Sequence, residues 1–199
     1  MAGLGGAITL TNAQIKTTGD TAHGVQTKER DGLVSVRDTD ISATNGAAAY
    51  LEGGRFEMNG GTLNSTKQAV RLTSTYQGQA ATASIRNAAL TTTGDYQYAI
   101  DLRAPGTAIV LEDTTVSATG SEGRGIQLVG TGTVFSASRF AIAASHVGID
   151  SRAGKVTLNQ GMVATRIAHG HALYVSRELG DSATLEANAV RIETSAPGP

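Results

Sequence analysis

A short phrase returns through this chain at an almost constant interval: apolar, any, Asn/Asp or small, any, any, apolar. It reads Leu10-Thr11-Asn12-Ala13-Gln14-Ile15, then Val36-Arg37-Asp38-Thr39-Asp40-Ile41, then Met58 to Leu63. Ile85-Arg86-Asn87-Ala88-Ala89-Leu90 and Leu111-Glu112-Asp113-Thr114-Thr115-Val116 follow. Phe135 to Phe140, Leu158 to Val163 and Leu185 to Val190 complete the series. The eight copies begin at Leu10, Val36, Met58, Ile85, Leu111, Phe135, Leu158 and Leu185, an interval that stays near one value throughout. That interval, about 25 residues, constrains the fold severely. Each repeat is too small to bury its own apolar side and must stack it on the next.

Each repeat holds three short stretches of period-two alternation, the pattern of a strand with one face in and one face out. The first is an apolar-x-apolar pair: Ile8/Leu10, Val34/Val36, Phe56/Met58, Ala83/Ile85, Ile109/Leu111, Val156/Leu158 and Ala183/Leu185. The second follows at once, as in Ile15-Lys16-Thr17 and Val116-Ser117-Ala118. The third comes after a Gly/polar turn, as in Gly24-Val25, Ala69-Val70, Ala99-Ile100, Gly125-Ile126, Gly148-Ile149 and Ala172-Leu173. No segment carries a helical stripe between caps. The expected fold is therefore all-β, a right-handed parallel β-helix of about eight coils of roughly 25 residues, each with three short strands. Residues 1–199 form one solenoid, with 191–199 expected as an irregular tail. Leucine-rich repeats have a similar period, but their L-x-x-L-x-L-x-x-N frame is absent.

Composition narrows the chemistry. The chain has 199 residues and no cysteine, which excludes disulfides, thiolate metal sites and a cysteine nucleophile. A net charge of −1 argues against a nucleic-acid module, which normally carries a basic face. No apolar run is long enough for a membrane-spanning helix. Aromatic residues make up only 4%, which fits a narrow interior filled by stacked aliphatics.

The Asn/Asp slot holds Asn12, Asp38, Gly60, Asn87, Asp113, Ala137, Gln160 and Ala187. Short polar side chains tolerate left-handed geometry and bond turn backbone, so the row reads as a structural ladder rather than a calcium or catalytic row. The second turn holds all four histidines. His146 and His169, separated by the local coil spacing, are expected to stack on adjacent coils, but no carboxylate recurs beside them, so no metal site is assigned. The third turn carries the largest insertions, and insertions in solenoids gather on one edge where partners bind. Its candidate contact residues are Lys28, Arg30, Tyr76, Arg103, Arg152, Lys155 and Arg177, interleaved with Glu29, Asp31 and Glu178 as on any solvated edge.

Outward third-strand slots read Gln26, Tyr50, Arg71, Asp101, Gln127, Asp150 and Tyr174. Asp101 and Asp150 lie two coils apart, about 10 Å, too wide for a carboxylate pair sharing one water. Arg71 and Asp101 occupy neighbouring outward slots, as do Arg86 and Glu112, and are expected as exposed pairs of small energetic weight. No catalytic or phosphate-binding motif occurs. The chain is expected to be non-enzymatic, with no cofactor.

The wording of the repeats resembles the passenger domain of bacterial autotransporters, especially pertactin-like adhesins. Thr9-Leu10-Thr11-Asn12-Ala13-Gln14-Ile15-Lys16-Thr17-Thr18-Gly19-Asp20 carries the resemblance most clearly, and Leu111 to Gly120 repeats it. The resemblance covers the whole chain. It implies display on a Gram-negative cell surface, or secretion, through a C-terminal barrel that this chain lacks, and so membrane contact only through that barrel. It implies adhesion or self-association, with a host protein, a cell-surface ligand or a sister passenger as partner and no nucleic acid. The alternatives are capture of a soluble host protein such as a serum or complement regulator, or a carbohydrate-active β-helix enzyme or phage tailspike piece. Without a signal peptide, and with Met1-Ala2 reading as an added start, the chain is expected to be a piece of a longer rod.

Overall fold

The computed structural model describes residues 6–28, 31–73, 79–167, 169–176 and 182–195. Among them every regular element is a strand. The strands form two parallel sheets. The 11-stranded first sheet contains β1 (Ala7–Thr11), β2 (Gln14–Asp20), β4 (Leu33–Asn45), β6 (Arg55–Ser65), β8 (Thr82–Arg86) and β9 (Ala89–Thr92). It continues through β11 (Ala108–Glu112), β12 (Thr115–Ala118), β14 (Val134–Ala144), β16 (Gly154–Thr165) and β18 (Ala183–Thr194). The 7-stranded second sheet runs β3 (Val25–Thr27), β5 (Ala49–Leu51), β7 (Val70–Leu72), β10 (Tyr98–Leu102), β13 (Arg124–Leu128), β15 (Val147–Ser151) and β17 (His171–Val175). The molecule is a parallel β-solenoid of about 7 turns with roughly 26 residues per turn. The expected eighth coil supplies only β18 among the described residues, and that strand runs through Thr194. Residues 191–194, read from sequence as the start of an irregular tail, therefore continue the second strand.

Three rows of apolar side chains hold the turns together. The first strands stack Leu10, Val36, Met58, Ile85, Leu111, Ala137 and Leu158. The second stack Ile15, Ile41, Leu63, Leu90, Val116, Ile142 and Val163. The third stack Val25, Ala49, Val70, Ile100, Ile126, Ile149 and Leu173. Burying each large aliphatic side chain is worth about 1.5–3 kcal/mol, and the rows repeat that gain coil after coil.

Two of the eight sequence anchors shift by two residues. Leu111 aligns with Ala137, not Phe135, and Leu158 aligns with Ala187, not Leu185. Phe135 and Leu185 instead take the earlier inward position of the first strand, opposite Ile109 and Val156. The last first-strand pair is thus Leu185/Ala187 rather than Ala183/Leu185. A slip of two preserves which face points inward, so the apolar pattern alone could not detect it.

The same slip moves the turn slot. Its occupants are Asn12, Asp38, Gly60, Asn87, Asp113, Arg139, Gln160 and Ala189, all with positive φ between 46° and 82°. Arg139 and Ala189, rather than Ala137 and Ala187, complete the row. In β4, β6, β14, β16 and β18 the chain passes through this residue without leaving the sheet, so the first two strands run as one bent strand. Only three coils show three separate strands among the described residues (β1/β2, β8/β9 and β11/β12, each with its third strand).

The small-then-apolar dipeptides of the third strand have a packing cause. A Cβ at Gly24 would stand 2.3 Å from Ile41 Cγ2, and one at Gly148 would stand 2.4 Å from Val163 Cγ1. Only a small residue lets the second sheet close against the second-strand row.

Candidate functional site

The outer face of the second sheet carries three parallel rows of side chains. The middle row is Gln26, Tyr50, Arg71, Asp101, Gln127, Asp150 and Tyr174, in the register read from sequence. On one side Tyr98 aligns with Arg124, Val147 and His171. On the other, the residues that leave the strands include Lys28, Glu52, Thr73, Arg103, Val129 and Arg152.

The centre of this face is shielded although it points outward. Asp101 is 0% exposed and Asp150 is 3% exposed. The expectation of an exposed Arg71–Asp101 pair fails for this reason: long neighbouring side chains lie over the carboxylates. Arg103 Nε donates to Asp101 Oδ2 at 2.6 Å, and Arg71 Nε stands 3.9 Å from the same oxygen. Arg152 grips Asp150 through both Nε and Nη2, with Nε donating to Oδ1 at 3.1 Å and to Oδ2 at 3.2 Å and Nη2 donating to Oδ2 at 3.0 Å. Tyr98 O–H reaches across two coils to donate to Asp150 Oδ2 at 2.8 Å. Arg124 Nη1 donates to that phenol oxygen at 3.0 Å, and its guanidinium carbon lies 5.3 Å from the Tyr98 ring centre.

Two aromatic pairs flank the cluster. His23 stacks on Tyr50 with ring centres 4.1 Å apart and planes 3° from parallel, and Arg71 sits 5.8 Å over the same tyrosine. His171 lies 5.9 Å from Tyr174, tilted by 37°. Burial pushes the Asp101 carboxyl above its ordinary range, opposed by Arg103 and Arg71. Burial and the bond to Asp150 push the Tyr98 phenol up, so it remains a donor at neutral pH rather than a base. Burial also holds the His23 imidazole below its ordinary value. Its Nδ1 accepts the Ala47 backbone N–H at 3.0 Å, a bond that protonation of that nitrogen would break.

Of the candidate contact residues, Arg103 and Arg152 sit in this network. Lys28 is exposed at the first described coil, beside an open groove of about 300 Å³ bordered by Gln26 and Leu33. Lys155 does not join them: it lies on β16 in the first sheet, opposite Val134 and Thr184, with Nζ 2.9 Å from Glu186. The third turn there is short, and Gly154 already starts the next strand. Arg30, Tyr76 and Arg177 lie outside the described residues. The expected His146–His169 stack is displaced by one residue, because Val147 aligns with His171 and places Gly170 opposite His146. Among the described residues no three His, Asp or Glu side chains gather to hold a metal.

Sequence reading missed Tyr98 and Arg124. The signal was available, since they stand one repeat apart and occupy equivalent places at the start of neighbouring third strands. Neither belongs to the apolar alternation that located those strands.

The first sheet has charged contacts of another kind. Arg86 Nε lies 3.2 Å from Glu112 Oε2, as the shared slots led one to expect. Arg139 forks onto Asp113 at 2.8 and 2.9 Å and also contacts Glu112. The bonds to Asp113 and Glu112 raise the Arg139 guanidinium, and the Arg139 bond holds the Asp113 carboxyl low. These groups are solvent-exposed and act as struts between turns.

No protein-family model, no curated protein and no solved structure matches this chain.

Proposed function

We propose that the chain is a non-enzymatic adhesive segment of a surface-displayed or secreted passenger, with the outer face of the second sheet as its binding surface. The observation that carries the reading is the side-chain network running along that face from His23 to Arg152. Arginine forks, a tyrosine bridge and stacked rings hold polar groups in fixed positions over several coils, which is pre-organisation for a ligand. The autotransporter-like wording of the repeats supports surface display. The two carboxylates support binding rather than catalysis, since Arg103 and Arg152 occupy them and the Tyr98 proton is committed to Asp150.

Beads coated with the whole chain test the reading. They are expected to adhere to epithelial monolayers, and coating with a Tyr50→Ala, Tyr98→Phe, Arg124→Gln variant is expected to abolish adhesion. Equal adhesion by parent and variant would remove this face from the function. Retention of a single soluble protein from serum, with no cell adhesion, would favour the capture reading instead.

A further inference from the structure

The charges on the second-sheet face do not balance. Its three rows hold five cations, Lys28, Arg71, Arg103, Arg124 and Arg152, against the three carboxylates of Glu52, Asp101 and Asp150, in a chain whose net charge is −1. Arg152 is matched to Asp150, and Asp101 is shared between Arg103 at 2.6 Å and Arg71 at 3.9 Å. Arg124 contacts the Tyr98 ring and hydroxyl and pairs with no carboxylate among the described residues. Arg71 Nε, Arg124 Nε and Asp101 Oδ1 are shielded from water and make no hydrogen bond. The rest of each guanidinium is partly exposed, two coils apart, and neither Arg71 nor Arg124 has a carboxylate to itself, so both suit acceptors with negative charge.

The face also repeats. Equivalent positions recur along the axis at about 4.8 Å, close to the length of one sugar residue in an extended glycan. Tyr50 with His23, and Tyr174 with His171, offer ring faces at either end of the arginine zone. The middle row contains no aliphatic residue, whereas a protein–protein interface needs an apolar, water-excluding centre. The pattern suits a sugar chain better than a folded protein.

We infer that this face binds an extended polyuronate lying along the solenoid axis, with Arg71 and Arg124 each receiving a sugar carboxylate and the flanking rings packing against pyranose faces. The inference rests on the adhesive reading and names its ligand. The planar guanidinium fork matches a carboxylate bidentately, as Arg152 already does with Asp150. Tyr98 positions Arg124 through its hydroxyl.

Calorimetric titration of the whole chain with polygalacturonate oligomers tests this. Binding is expected, weakening as salt is added. Arg71→Gln and Arg124→Gln are each expected to weaken it about tenfold or more, the usual cost of a charge-assisted contact. Lys155→Gln, on the other sheet, is expected to change nothing, and the melting temperatures of all variants verify that they fold. Equal affinity for neutral dextran, unchanged affinity in both arginine variants, or binding of heparin without polygalacturonate would overturn the assignment. Adhesion of coated beads to cells with no polygalacturonate binding overturns the ligand and leaves the adhesive reading standing. Polygalacturonate binding by beads that adhere to no cell does the reverse.

Discussion

Gly148 stands where a methyl group has no room. A Cβ there would meet the Ala172 carbonyl oxygen at 2.4 Å, a backbone atom of the neighbouring strand, and Val163 Cγ1 at 2.4 Å in the packed interior. Gly148→Ala is therefore expected to lower stability by about 1–3 kcal/mol, measured by denaturant unfolding, although alanine favours folding where the backbone and the space allow it. His23 makes a second residue-scale prediction. Burial holds its folded value below 6.5, so the neutral ring is the form the fold prefers. The stability it contributes is present above pH 6.5 and is lost as the pH falls from there toward the folded value. Thermal melts of the parent should therefore lose ground against His23→Gln below pH 6.5. Parallel pH profiles for the two proteins would remove His23 from the acid response.

At the scale of the strand, the decisive property is parity. Ile126 is fully buried between Ile100 and Ile149 in the third-strand row. Ile126→Asp places a charge with no partner in that row and is expected to cost at least about 3 kcal/mol, visible as loss of the cooperative melt. Parity also explains what could be read in advance. The extended stretches of each coil, the inward rows and the middle row of the second sheet were legible because apolar alternation marks them, although the first two stretches fuse into one bent strand in five coils. The positions of Phe135 and Leu185 were not, because a two-residue slip leaves alternation unchanged and the true anchors, Ala137 and Ala187, are small. The burial of Asp101 and Asp150 was equally hidden. Alternation reports which way a side chain points, and says nothing of the arginine and tyrosine arms, from the same coil and from others, that lie across it.

At the scale of the whole molecule, each turn pairs its backbone only with its neighbours, so turns behave as exchangeable units apart from the Tyr98 bridge to Asp150. Thr115 aligns with Ala89 and Val116 with Leu90, one full turn further along the chain. Deleting residues 90–115 joins Ala89 to Val116 in register and removes one turn. The shortened chain is expected to remain folded, with an unchanged β-type circular dichroism spectrum, a lower melting temperature, and a rod shorter by about 4.8 Å in solution scattering. A random-coil spectrum would show that the turns are not interchangeable and that one region carries the stability of the rest.

The parallel register of neighbouring turns also sets how the rod carries load. A pull along the axis from one end engages the hydrogen bonds of the outermost turn before those of any turn behind it. Turns then detach in succession, each release lengthening the chain by about 90 Å, the extended length of one turn of backbone. A tether built this way yields in equal steps and keeps its undetached length intact. The network from His23 to Arg152 crosses several turns, and any ligand bound over it fastens those turns to one another against the same pull.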